Sequence, residues 1–147
     1  MIKISKITGK NDRDHCFHIR TVVFVEEQNV PLNEEMDGLD DDADHYLLWQ
    51  DDTPIATARV RYLGGTAKIE RVALLKGYRG RNIGLTLMEY IIEDIRSDLQ
   101  KSPKVTQLKL GAQIQVIPFY EKLGFISHGD DFLDAGITHR WMTRKIS

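Results

Sequence analysis

The stretch Ile69-Glu-Arg-Val-Ala-Leu-Leu-Lys-Gly-Tyr-Arg-Gly-Arg-Asn-Ile-Gly84 decides the fold. It reads as the end of a β-strand (Ala67 to Leu74), an Arg/Gly-rich turn, and the start of an amphipathic helix. The helix continues through Leu85, Met88, Ile92, Ile95 and Leu99, which step along one face at spacings of three and four. The first turn of a helix leaves backbone N–H groups unpaired at the positive end of its dipole, so a strand leading into it presents donors to an anion. Gly80 and Gly84 lack the β-carbons that would hold phosphates away, and Asn82 is the non-glycine type that best tolerates left-handed backbone. Neither a Gly-x-Gly-x-x-Gly after a strand nor a closing Gly-Lys-Ser/Thr occurs, so two rival phosphate motifs fit worse.

Outward from this stretch the elements alternate. Upstream, Lys3 to Thr8 predicts a strand, and a helix runs from a cap at Asn11 or Asp12 to about Gln28 with Cys16, Ile19 and Val23 on its apolar side. Residues 29–44 read as a polar loop. His45 to Trp49 and Ile55 to Leu63 predict a hairpin about Asp51-Asp52-Thr53, and Gly64-Gly65 turns the chain into the next strand. Downstream, Pro103 marks the return to a strand, Val105 to Leu110. A short helix, Pro118 to Leu123, is closed by Gly124, and strands Phe125 to His128 and Ile137 to Arg144 end the chain. The pattern predicts one α/β domain over residues 1–147, with a mixed, partly antiparallel sheet. Three long helices are too few to cover both faces of a doubly wound one.

At 147 residues, 41% hydrophobic and 29% charged, the composition is that of an ordinary globular domain. Twenty Lys/Arg against twenty-two Asp/Glu leave a net charge of −2, which argues against a nucleic-acid partner; binding one through Arg79 and Arg81 would demand a wider basic face. No stretch approaches the roughly 20 apolar residues that cross a bilayer, and Met-Ile-Lys-Ile-Ser-Lys has no apolar signal core. A cytoplasmic location is the expectation. The lone Cys16 excludes an internal disulfide and reads as a buried structural thiol. The final strand offers an edge through which two copies could pair as a homodimer.

The turn also resembles the acyl-CoA-binding signature Gln/Arg-x-x-Gly-x-Gly/Ala of the GNAT superfamily of N-acetyltransferases, with Arg79 first, Gly84 last and Asn82 in place of the usual middle glycine. Phe119-Tyr-Glu-Lys-Leu-Gly-Phe125 is similar to the segment whose tyrosine lies beside the CoA sulfur in that family. Gln113 stands at its usual asparagine. Arg20-Thr-Val-Val-Phe-Val-Glu-Glu-Gln28, with Pro31, Asp37-Gly38, His45, Leu110-Gly-Ala-Gln113 and Gly136-Ile-Thr-His139, resembles the ElaA-type branch, although Thr138 replaces an expected proline. The likeness spans essentially the whole chain.

That resemblance implies a GNAT fold and transfer of an acetyl group from acetyl-CoA, as co-substrate, to a small-molecule or peptide amine by direct attack. The cofactor would lie along Val72, Leu74, Arg79, Gly80, Arg81, Asn82, Gly84 and Gln113. Tyr120 would assist the leaving sulfur; its alternative role is a core aromatic whose hydroxyl bonds a carbonyl. A lysine-type amine has a pKa near 10.4 and must shed a proton. Glu70 is the first candidate to take it, because simple alternation puts it on the face of Val72 and Leu74. Glu27, Asp37, His45 and His139 compete for that role or for acceptor binding. A backbone N–H near Leu74 would serve the tetrahedral oxygen.

Seven acidic residues crowd positions 34–44, either as a solvated loop or as a surface attracting a cationic acceptor. Their spacing is not that of a calcium loop, and no metal is expected. A different class of function, a non-catalytic CoA-binding or regulatory module on the same fold, shares the cofactor site but not the turnover.

Overall fold

The computed structural model describes residues 1–98 and 105–146. Leu99 and Pro103 lie outside them. The strands form one mixed seven-stranded sheet in the order β1-β2-β3-β4-β5-β7-β6, so the expectation that the final strand offers an edge is corrected: it is paired on both sides. They are β1 Ile2–Ile7, β2 Asp44–Gln50, β3 Thr53–Leu63, β4 Thr66–Leu74, β5 Gln107–Gln113, β6 Ile126–Asp134 and β7 Ile137–Lys145. All neighbours are antiparallel except β4 and β5. The last hairpin is longer than the sequence suggests: β6 carries on past an irregularity between His128 and Phe132, where Gly129 takes a φ of +78°. Among the described residues no helix is long and apolar enough to cross a membrane.

Helices cover the two faces of the central strands unequally. Along β2, successive side chains alternate between two buried clusters, so Tyr46 and Leu48 join one and Leu47 the other. On the Leu47 side lies α1, Lys10–Arg20, continued by a π-helical segment, Thr21–Glu27; Cys16, Ile19 and Val23 pack there on Leu47 and Ala73. Gly9 precedes the helix without a side-chain cap, two or three residues earlier than Asn11 or Asp12 would have set it. A four-residue α2, Leu32–Glu35, follows. The other face carries α3, Ile83–Ser97, and the short α4, Ile117–Lys122. The buried face of α3 adds Ile83, Leu87 and Ile91 to the expected stripe and leaves Leu85 only partly covered. Each fully buried Leu or Ile contributes about 1.5–3 kcal/mol.

Two departures from regular pairing open the sheet. β4 pairs with β5 only between Thr66–Lys68 and Gln107–Lys109, after which the strands part. Opposite, the β3–β4 register shifts between Thr57 and Arg59, with Arg71 at a φ of +54°. Ala73 faces Thr57 and Glu70 faces Arg59, so Arg71 and Val72 together oppose Ala58. The extra residue resets the alternation. Ile69, Val72 and Leu74 pack toward α3, whereas the side chains of Glu70 and Arg71 find partners on the α1–α2 side. The expectation that Glu70 shares a face with Val72 and Leu74 is therefore corrected: a bulge invisible in the sequence lies between them.

The acidic stretch is only partly a solvated loop: Glu34, Asp41 and Asp42 are exposed, whereas Glu35 and Asp40 are buried. Arg20 and Arg59 are almost wholly buried, and the loop supplies their counter-charges. Arg20 donates to Glu35 at 2.6 Å and to Asp40 at 2.7 Å; Arg59 donates to Asp37 at 2.8 and 2.9 Å, to Asp40 at 3.0 Å and to Glu70 at 3.2 Å. Burial alone would raise the Asp40 pKa, but the two guanidinium groups outweigh it and hold the carboxyl below the usual range. Removing one partner of such a network leaves uncompensated buried charge. Arg59→Met is expected to lower the unfolding free energy by about 3–5 kcal/mol in urea titrations. A loss below about 1 kcal/mol would show that the network does not secure the loop.

Candidate active site

The gap between β4 and β5 is the floor of a cleft of about 1010 Å³. It passes from the turn before α3, past Tyr120, to a wall built by the π-helical segment, α2 and the β6–β7 hairpin. Beyond Lys68 the β5-facing edge of β4 has no strand partner among the described residues, so its main-chain groups, with Val72 and Leu74, are available to a polar chain lying in the gap.

The phosphate-type turn has the predicted geometry. Gly80 and Asn82 take φ values of +82° and +61°. The first helical bond of α3 is Thr86 N–H to Asn82 O at 3.1 Å, and no side chain caps the helix. The N–H groups ahead of Thr86 therefore lack intrahelical acceptors at the positive end of the dipole. Gly84 lines the cleft, where an added β-carbon would sit 3.5 Å from the Phe119 ring. Arg81, its guanidinium 5.8 Å from the Tyr78 ring, makes no ion pair among the described residues. Arg79 is differently placed: its Nε and Nη2 donate to the Leu74 carbonyl, and its outer nitrogens meet Glu27.

Tyr120 lies on the inner side of α4, edge-on to Phe119 and Phe125 at ring separations of 5.0 and 6.0 Å. It lines the cleft, and its hydroxyl makes no hydrogen bond with the described residues. The alternative of a core aromatic tied to a carbonyl is not what this geometry shows. Burial pushes the phenol up to about 12, so it stays protonated at neutral pH.

The acceptor-side candidates separate. Burial would raise the Glu70 pKa, but Arg61, Arg59 and Lys68 around it bring it below the ordinary value. A carboxylate held this way is a poor proton acceptor; Glu70 lines the cleft from the α1–α2 side. Asp37 is bound by Arg59 and Arg71 and forms part of the loop's anchor rather than the cleft lining. His45 is buried outside the cleft lining: its Nε2 lies 2.9 Å from the Asp40 carbonyl, its ring stands edge-on to Phe17, and burial lowers its pKa. Both Glu27 and His139 do line the cleft; His139 stacks on Phe132, with Nδ1 2.7 Å from the Ile137 carbonyl. Gln113 also lines it and donates to Gln28 at 3.0 Å.

Sequence reasoning missed an aromatic wall. Phe132 stacks on Trp141 at 4.7 Å, Lys68 and Lys109 lie 5.1 and 4.5 Å from the Trp141 ring, and Gly111 fits beneath both aromatic rings. An added β-carbon at Gly111 would come within 3.3 Å of each ring, so glycine is the residue that admits them. The available signal was the pairing of Gly111 with Trp141, which needs the register of β5 and β7.

The acetyltransferase (GNAT) domain family matches residues 19–146. Relatives include the uncharacterized N-acetyltransferase YjcF of Bacillus subtilis (strain 168), 35% identical over 141 residues that cover 94% of this chain and 97% of YjcF. ElaA of Escherichia coli (strain K12) is 32% identical over 132 residues, 87% of this chain and 84% of ElaA. The crystal structure of Escherichia coli ElaA superposes with a TM-score of 0.83 at 29% identity, over 98% of this chain and 99% of that one. An acyl-CoA N-acyltransferase from Pseudomonas aeruginosa gives the same TM-score at 27% identity, covering 98% of each chain. With a cleft of this form and matches over nearly its whole length, the chain belongs to the GNAT acetyltransferases.

Proposed function

We propose that the protein transfers an acetyl group from acetyl-CoA to a primary amine by direct attack within the β4–β5 gap. The observation that carries this reading is the Tyr120 hydroxyl, protonated and without a hydrogen bond among the described residues, lining the same cleft as an uncapped helix start. The diphosphate is received by the amides of the turn Arg79–Gly84, with Arg81 beside it, and the pantetheine arm follows the free edge of β4 at Val72 and Leu74. Gln113, at the opposite lip, orients the arm from β5.

The reacting thioester then lies between the ends of the parted strands. A main-chain N–H of β4 near Leu74 receives the negative charge that develops on the carbonyl oxygen. Tyr120 donates a hydrogen bond to the departing sulfur. Thiols of cysteine type ionise near 8.5, so full transfer from a phenol near 12 is uphill by about 3–4 pK units. Stabilisation of the thiolate is therefore its main contribution. Glu70 acts as a fixed negative charge in the acceptor wall. The amine enters the reaction neutral, its proton leaving to water in the open cleft, while His139 and the Phe132–Trp141 stack bound the acceptor.

Thermal stability measured against CoA and acetyl-CoA, followed by thiol release with amines of each charge class, tests the whole reading: CoA raises Tm and at least one amine releases thiol. Tyr120→Phe is expected to lower turnover at least about tenfold while leaving CoA affinity within about twofold; equal turnover would remove Tyr120 from the chemistry. Gly84→Asp places an acidic group in the first turn of α3, where the helix dipole favours it, so the fold persists. CoA affinity should nevertheless fall by more than about tenfold, and calorimetry showing unaltered affinity would refute the cradle. Because the amine must be neutral, kcat/KM for an alkylamine should rise about tenfold per pH unit from 6 to 8. A plateau within that range would reveal a side chain acting as base.

A further inference from the structure

Arg79 and Glu27 are 52 positions apart, one in the anion-binding turn and the other at the end of the π-helical segment, yet they meet side by side. Nη1 donates to Oε2 at 2.7 Å and Nη2 to Oε1 at 2.9 Å, while Nε and Nη2 reach the Leu74 carbonyl at 3.0 and 2.8 Å. All three guanidinium nitrogens are thus engaged, beside the turn at which the transferase reading puts the diphosphate. Its two sets of bonds differ in character. The Leu74 contacts are local and anchor the side chain to the end of β4. The contact with Glu27 joins two half-exposed groups, 38% and 32% accessible, and solvent-screened pairs of that kind contribute little. A diphosphate carries more negative charge than one carboxylate and meets the same planar fork.

We propose that Glu27 is an exchangeable partner of Arg79: it holds the guanidinium beside the turn, and the diphosphate displaces it when CoA binds, leaving a free carboxylate in the acceptor half of the cleft. The inference rests on the transferase reading above and adds a regulation to it. Arg79 holds the Glu27 carboxyl below its ordinary pKa, and that influence weakens once the phosphates share the cation. Donor binding thereby prepares the acceptor wall, since Glu27 is on the same segment as Val23 and Phe24, which also line the cleft. The two halves of the site are linked by competition for one arginine, without a hinge.

The test is a double-mutant cycle on CoA affinity, measured by calorimetry for the wild-type protein, Glu27→Gln, Arg79→Gln and the double variant, with Tm recorded for each. Glu27→Gln should bind CoA about two- to fivefold more tightly, because no pair has to be broken. Arg79→Gln should bind it more weakly, and in that background Glu27→Gln should make no further difference. An equal gain in both backgrounds would mean that only a repulsive charge had been removed, which overturns the exchange. An affinity for Glu27→Gln equal to or below that of the wild type overturns it as well. Wild-type protein that fails to bind CoA would sink the transferase reading instead, so the two failures are distinguishable.

Discussion

The parting of β4 from β5 is the constraint on which the rest of this structure depends. Parallel pairing ends at Lys68 and Lys109, and everything functional is arranged around the gap that follows. An unpaired strand edge inside a protein is costly unless something satisfies its main-chain groups. Here the gap stays open toward solvent and a ligand can lie along it. The bulge at Arg71 serves the same end from the other side, because it bends β4 and turns Val72 and Leu74 toward α3 while Glu70 and Arg71 turn toward α1 and α2. One strand thereby presents an apolar face toward α3 and a charged face toward α1 and α2.

That charged face is where composition misleads. Seven acidic residues within positions 34–44 suggest a strongly negative surface. Folding brings Arg20, Arg59 and Arg71 against Glu35, Asp37 and Asp40, so three of the seven serve as counter-charges to these arginines, and Asp41 pairs with Arg13. A buried ion network of this kind contributes little net stability compared with an apolar core. It does fix where the loop sits over β3 and β4, and so shapes the acceptor wall. His45, which sequence reasoning offered as an acceptor ligand, is part of the same packing through the Asp40 carbonyl and Phe17.

The turn and helix start at which the cofactor is proposed to bind were legible in the sequence, because each of their requirements is local. A left-handed turn needs glycine or asparagine at set positions, a helix start needs only its own uncapped amides, and Phe119-Tyr-Glu-Lys-Leu-Gly-Phe125 brings its tyrosine to the inner side of a single helical turn. The acceptor half was not legible. The Phe132–Trp141–His139 wall needs β6 and β7 to pair and Gly111 to lie beneath them, and the partners of Glu70 come from β3 and from the start of β4.

By itself the sequence determined the mixed α/β class, the strand–turn–helix that offers amides to an anion, and the tyrosine nearby, because these follow from residue spacing over a few turns of chain. Tertiary structure alone decided which way Glu70 points, that Glu35, Asp37 and Asp40 are paired with arginines, and that Arg79 is held by Glu27. A bulge shifts side-chain direction without leaving a mark in composition, and ion pairs between residues tens of positions apart exist only once the sheet has set their distance.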